Sequence, residues 1–171
     1  MNPTQNQSTI PGALADLTPA DILRCAARYL EIRGWTQGSY YASTEDNPFP
    51  PACVAGAIGM AAHGRLITLP CNSGSGRREA RRARKYLTGY LADTGALTIP
   101  ANDWQGWPTA SDWNDRDGQT AVNVISTLHD AADQWDWTHA TEDDLETYAE
   151  HEYSQERLPT RAGFLVWRAT R

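Results

Sequence analysis

The stretch Pro51 to Gly64 reads PACVAGAIGMAAHG, and eleven of its positions are Ala, Gly, Val, Ile or Met. A run of this kind, closed by a glycine suited to the left-handed residue after a last helical turn, predicts a buried central helix. Ala52, Ala55, Gly56 and Gly59 leave one side of it almost without side-chain bulk. Each glycine costs about 0.5–1 kcal/mol against alanine in a helix interior, so close approach of a neighbouring backbone is the expected compensation.

Upstream, Thr18-Pro19-Ala20-Asp21 supplies a hydroxyl cap, a proline at the first helical position and a carboxylate in the first turn. It predicts a helix, with Ile22, Ala26, Tyr29 and Leu30 on one face and Gly34 as its stop. Trp35 to Tyr41 is aromatic and short, and predicts a brief strand or hairpin arm. The Pro50-Pro51 pair then forces an extended entry into the central helix. Residues 1–16 are polar and lack an apolar period, and are expected to form a loose tail.

Downstream, Cys71 to Gly76 reads as a flexible connection and Arg77 to Ala92 as a helix. At 100° per residue, Arg77, Arg78, Arg81, Arg82, Arg84 and Lys85 fall between about −20° and 140°. Ala80, Ala83, Tyr86, Leu87, Tyr90 and Leu91 fall between about 180° and 320°, so a basic face and an apolar face separate completely. Ile99 to Asp117 is expected to be a loop pinned to the core by Trp104, Trp107 and Trp113. Thr120 caps a further helix with Ala121, Ile125, Leu128, Ala132 and Trp135 on its inner stripe. Thr141-Glu142-Asp143-Asp144 starts a short helix carrying Leu145 and Tyr148. The run Phe164-Leu165-Val166-Trp167 is either a closing strand or a docked terminal segment.

The fold class that follows is mainly α. The pieces make a single-domain bundle of four to five helices around the small-residue helix, with a minor β element. The expected division is a tail over 1–16, a helical domain over 17–135, and an acidic helix and C-terminal segment over 136–171, packed on the domain or partly loose. Three cysteines (Cys25, Cys53, Cys71) without paired spacing fit reduced thiols. No apolar run of about 18 residues occurs and the start lacks a signal-like region, so the expected location is the cytoplasm, away from membranes. The net charge of −6 hides an asymmetry. Six of the fifteen cations lie between Arg77 and Lys85, whereas Asp103 to Glu156 holds fourteen acids against Arg116 alone.

Three motifs in order carry a family resemblance: Arg33-Gly34-Trp35-Thr36-Gln37-Gly38, then Cys53-Val54-Ala55-Gly56-Ala57-Ile58, then Trp113-Asn114-Asp115 with Gly118 and Thr120 opening a Val/Ile/Leu helix. Over roughly Asp21 to Ala132 the chain resembles DUF6197, a family of small proteins of unknown function found mainly in actinobacteria and their mobile elements. Similar proteins carry acids just after the capping threonine. Here Thr120 is followed by Ala121-Val122-Asn123, which leaves the reciprocal box incomplete. The resemblance implies no catalytic residues.

Several residues invite a chemical reading beside a structural one. Cys53 near a helix start would have its thiol acidified by the helix dipole, and with His129, His139 or His151 as base and Asp115 or Asn114 as orienter it would suit a cysteine enzyme. His63 lies ten residues along the same helix, about 15 Å away, and cannot be that base. Small buried cysteines in Ala/Gly-rich helices usually serve packing. Cys53, His63 and Cys71 lack zinc-ligand spacing, so neither metal nor cofactor is expected. Trp35, Cys53, Gly56, Trp113, Asn114, Asp115 and Thr120 are read as a structural motif, with Trp113 as anchor and Asn114 and Asp115 bonding backbone amides in the turn.

The basic face is the best candidate interaction site, because arginines in the first turns of a helix work against its dipole and call for an anion nearby. Nucleic-acid phosphate is one such anion, and the chain's own acidic segment, Asp103 to Glu156, is another; the plain alternative is that the arginines are simply solvated. The favoured function is a non-enzymatic accessory or protein-interaction module with a protein partner. A nucleic-acid-associated protein and a Cys53 enzyme are the alternatives.

Overall fold

The computed structural model of the chain describes residues 17–42, 47–69, 71–98 and 108–170. These residues contain seven helices: α1 (Pro19–Arg33), α2 (Val54–His63), α3 (Arg77–Asp93), α4 (Ala110–Asn114), α5 (Ala121–Thr138), α6 (Glu142–Ser154) and α7 (Arg161–Ala169). The expected tail over 1–16, together with Trp104 and Trp107, lies outside them.

α1 starts as its sequence predicts. The Thr18 hydroxyl accepts from the Asp21 N–H at 3.2 Å while the Asp21 carboxylate accepts from the Thr18 N–H at 2.8 Å, so the two ends of the box satisfy each other. Ile22, Leu23, Ala26, Ala27 and Leu30 are buried, and this face packs mainly against α5 and α2.

α2 is the interior helix. Every residue from Val54 to Met60, and Ala62, is buried, and Gly64 ends the helix in the left-handed conformation at φ 67°. The compensation expected for the glycines is visible at Gly56, where an added Cβ would sit 2.0 Å from the Tyr40 carbonyl oxygen. The backbone that presses there belongs to the Gly34–Tyr41 segment. The Thr36 N–H donates to the Ala52 carbonyl, the Ala52 N–H to Gly34 and the Cys53 N–H to Tyr40, so the extended entry to α2 is held on both sides.

The minor β element is therefore small. Among the described residues it consists of isolated bridges, from Trp35 and from Tyr41, both to Ala52. Gly38, at φ 76°, turns the chain back between them, leaving no room for a longer ladder.

α3 begins against the end of α2. An added Cβ at Gly76 would lie 2.1 Å from the Ala62 carbonyl oxygen, and the Gly76 N–H donates to His63 Nδ1 at 3.1 Å. The start of the basic helix is thus fixed to the interior helix. Ala80, Ala83, Leu87 and Leu91 of α3 are buried, as the angular separation requires.

The helix count exceeds the expected four to five for two local reasons. Within the expected tryptophan loop, Thr109 and Asp112 form a complete capping box that starts α4 and buries Trp113 at 4% exposure. Near the end of the described residues, Thr160 accepts from the Gly163 N–H at 3.0 Å and initiates α7, so the Phe164–Trp167 run is a docked helix, not a strand. In α5 the deepest positions are Val124, Leu128, Ala131 and Ala132, with Ile125 and Trp135 packed beside them, a slight rotation from the predicted stripe.

Phe164 of α7 is fully buried in an aromatic cluster with Trp137, Tyr148 and Trp167. Of the two apolar residues of α6 named from the sequence, Tyr148 is buried and Leu145 is 38% exposed. Two arginines tie α1 and α7 to the acids of α5 and α6. Arg24 of α1 pairs with Asp133 at 2.7 Å and Asp136 at 2.6 Å, and Arg168 of α7 pairs with Asp136 at 3.6 Å and Asp144 at 3.0 Å.

Candidate functional site: the α3 face and its surroundings

Arg77, Arg78, Arg81, Arg82 and Lys85 are exposed, and Arg84 is half-buried. Among the described residues none of the six makes an ion pair. The Arg81 guanidinium donates to the Cys71 carbonyl at 3.2 Å. Asp112 is held below the usual carboxylate range first by the N–H and hydroxyl of Thr109, with the Arg84 charge contributing last.

The acidic segment spends its ion pairs elsewhere. Asp133, Asp136 and Asp144 serve Arg24 and Arg168, and Glu152 serves Arg157 at 2.7 Å. α3 also starts without a side-chain cap at Gly76, while its one first-turn acid, Glu79, is buried. The outcome is a strip of positive charge facing solvent.

A second cluster joins all three sequence motifs. Asn114 is fully buried, and its Oδ1 accepts from the Trp35 indole N–H at 2.8 Å and from the Val54 N–H at 3.0 Å. Its Nδ2 donates to the Thr36 carbonyl at 3.3 Å and to Asp115 Oδ1 at 2.7 Å. Both lone-pair positions and both amide hydrogens are used, which satisfies the side chain completely. Asp115 Oδ1 in turn accepts from the Gly38 N–H, and Gln37 donates to the carbonyls of Asn114 and Arg116. Because Cys53 makes no side-chain cap bond, Asn114 acts as the cap of α2 from sixty residues away.

A family model described as "Family of unknown function (DUF6197)" matches residues 14–134. The chain belongs to that family. No curated protein and no solved structure matches it. In this DUF6197 chain the matched segment holds α1 to α4 and most of α5, whereas α6 and α7 lie beyond it. The motifs that carried the resemblance are the ones that meet at Asn114.

The remaining candidates separate. Cys53 is 5% exposed, and burial pushes its thiol up, against the N–H groups of Gly56 and Ala55 that pull the other way. The dipole effect anticipated from sequence is present but is outweighed by desolvation. Asp115 lies near enough to raise the thiol further, while His129 pairs with Glu31 at 3.3 Å. His63 is engaged with Gly76. Cys25, Cys53 and Cys71 are free thiols. Among the described residues no cluster of three His, Cys, Asp or Glu could hold a metal, and no helix is long and apolar enough to cross a membrane.

Thr120 accepts from the Asn123 N–H at 3.2 Å without a reciprocal partner, although the Asn123 amide reaches back to Gln119 at 2.6 Å.

Two open depressions flank the C-terminal half of α3, and neither was legible in the sequence. The larger, of about 730 Å³, runs between α3, α5 and α7, with Tyr90, Asp93, Asp130 and Arg161 on its walls. Arg161 is held there by Gln134 at 2.8 Å and lies over the Trp137 ring. The smaller, of about 390 Å³, lies between the start of α1, α3 and α5 and shares Tyr86, Tyr90 and Asp93 with the first.

Proposed function

We propose that this DUF6197 chain is a non-enzymatic, cytoplasmic interaction module that docks on nucleic acid through the basic face of α3. The observation that supports this reading is the lack of any ion pair at Arg77, Arg78, Arg81, Arg82, Arg84 and Lys85 among the described residues. The charge density fits the partner. Residues 77–85 rise about 12 Å along the helix, a length over which duplex DNA presents about seven phosphates. Six cations face them, and Asp133 and Asp136 of α5 and Asp144 and Glu152 of α6 are occupied by other arginines.

Fluorescence anisotropy with a labelled duplex tests the proposal. With four phosphates engaged, the affinity is expected to fall about 150-fold between 50 and 200 mM salt. Replacing Arg77, Arg78 and Arg81 by Glu should abolish binding while leaving the helix intact, since acids suit a helix start. Binding that ignores salt, or that survives the triple replacement, removes nucleic acid from consideration.

A second reading, a protein partner, draws on Tyr153, Leu158 and Val166, which are 61%, 80% and 68% exposed on the C-terminal segment. Large apolar side chains exposed to solvent favour protein contacts where they adjoin. Its test is whether Leu158→Asp with Val166→Asp abolishes capture of a host protein that the triple α3 variant retains.

A further inference from the structure

We propose that the smaller depression beside the basic face is a pocket for one unpaired nucleotide of a single strand, phosphate toward Arg82 and Lys85 and base among Tyr86, Tyr90 and Trp135. This rests on the α3 reading above and names the form of nucleic acid that it takes. Along one face of α3 the residues run in the order of a nucleotide's own parts: two cations, a ring, a glycine, a second ring and a carboxylate (Arg82, Lys85, Tyr86, Gly89, Tyr90, Asp93). The pocket's volume of about 390 Å³ falls within the range of small-molecule sites, about 300–1,000 Å³.

The aromatic wall is already set. Tyr86 meets Trp135 edge-on, with centroids 4.7 Å apart at 90°, and Trp135 is stacked on His139 at 3.7 Å. A rigid aromatic wall receives a π-face with little ordering cost, and it discriminates little between bases. Burial pushes the Tyr86 phenol up to about 12, so it stays a neutral donor near pH 7.

Gly89 leaves the floor open, since a Cβ built there meets nothing within 4 Å. Asp93 has no ion-pair partner among the described residues, and its carboxylate can accept from an exocyclic amino group such as that of cytosine. In a duplex the base faces are stacked away, so this pocket adds nothing to duplex binding.

The test compares labelled deoxycytidine oligomers, the same oligomers with one central abasic spacer, and a duplex of equal length, all at low salt. The single strand is expected to bind about tenfold more tightly than the abasic strand. Gly89→Leu, which fills the floor without removing a charge, should erase that gain and leave duplex affinity and its salt slope unchanged. Asp93→Asn should lower the preference for cytidine over thymidine oligomers.

Equal binding of the intact and abasic strands, a comparison that needs no variant, overturns the proposal, as does a Gly89→Leu protein that keeps the tenfold gain. If the duplex binds with the expected salt slope while the gain is missing, only the pocket is refuted. If neither strand nor duplex binds, the α3 reading falls as well.

Discussion

Replacing Asn114 by Ala removes a side chain that closes four hydrogen bonds in a fully buried position. The Val54 N–H, on a residue with no exposure, loses its partner outright. The Trp35 indole N–H and the Thr36 carbonyl belong to half-buried residues that water can partly reach. With a stranded buried polar group costing about 1–3 kcal/mol and the other two costing less, the expected loss is about 3–4 kcal/mol. That is a large fraction of the roughly 5–15 kcal/mol typical of a folded domain.

Urea denaturation followed by circular dichroism reads this as a lower midpoint at unchanged slope, and calorimetry as a fall in Tm of about 10 °C. Asn114→Asp is expected to be worse than Ala. It puts a carboxylate against the Thr36 carbonyl and Asp115, where the amide now donates. A loss under about 1 kcal/mol for the alanine variant, or an aspartate variant as stable as wild type, would refute the idea that this amide caps α2.

Gly56→Ala should destabilise by about 3 kcal/mol or force a rearrangement, because its Cβ would collide with the Tyr40 carbonyl. Gly89→Ala, with open space at the Cβ position, should instead stabilise by about 0.5–1 kcal/mol in the same denaturation assay. In native protein, iodoacetamide should alkylate exposed Cys25 well before buried Cys53, as peptide mapping would show; a fast, acid-shifted Cys53 would revive the enzyme reading. Asp144 is held below the usual carboxylate range first by the Thr141 hydroxyl, helped by the Thr141 N–H and Arg168. A depressed carboxyl stabilises the fold above its unfolded pKa, and that contribution disappears as pH falls through the folded value, so wild-type Tm should drop below about pH 4 more steeply than that of Asp144→Asn.

Local chemistry was readable where it closes on itself within a few residues. Thr18 and Asp21, Thr141 and Asp144, the Gly64 stop and the two faces of α3 all lie within one or two turns, and each is found as its sequence implies. The same logic holds at Thr109 and Asp112, but there the capping box is masked by a stretch dominated by tryptophan, proline and glycine. Distant contacts carried no such signal. Nothing near Cys53 says that its helix is capped by Asn114, and nothing in the angular arrangement of α3 shows that Trp135 completes a pocket beside Tyr86. The conformation of the last helix turned on Tyr148, whose hydroxyl occupies the space that a side chain at Gly163 would need.

Asp136 deserves its position at the junction of three helices. One carboxylate, 6% exposed, receives Arg24 from the first helix and Arg168 from the last, and it lies two residues past the end of the family match. A fragment trimmed to residues 14–134 would therefore leave Arg24 with Asp133 as its one remaining acid and cut α5 short of its last turn. The smallest autonomous unit is expected to be longer than the stretch the family model matches, with α7 acting through Asp136 as a rivet for α1.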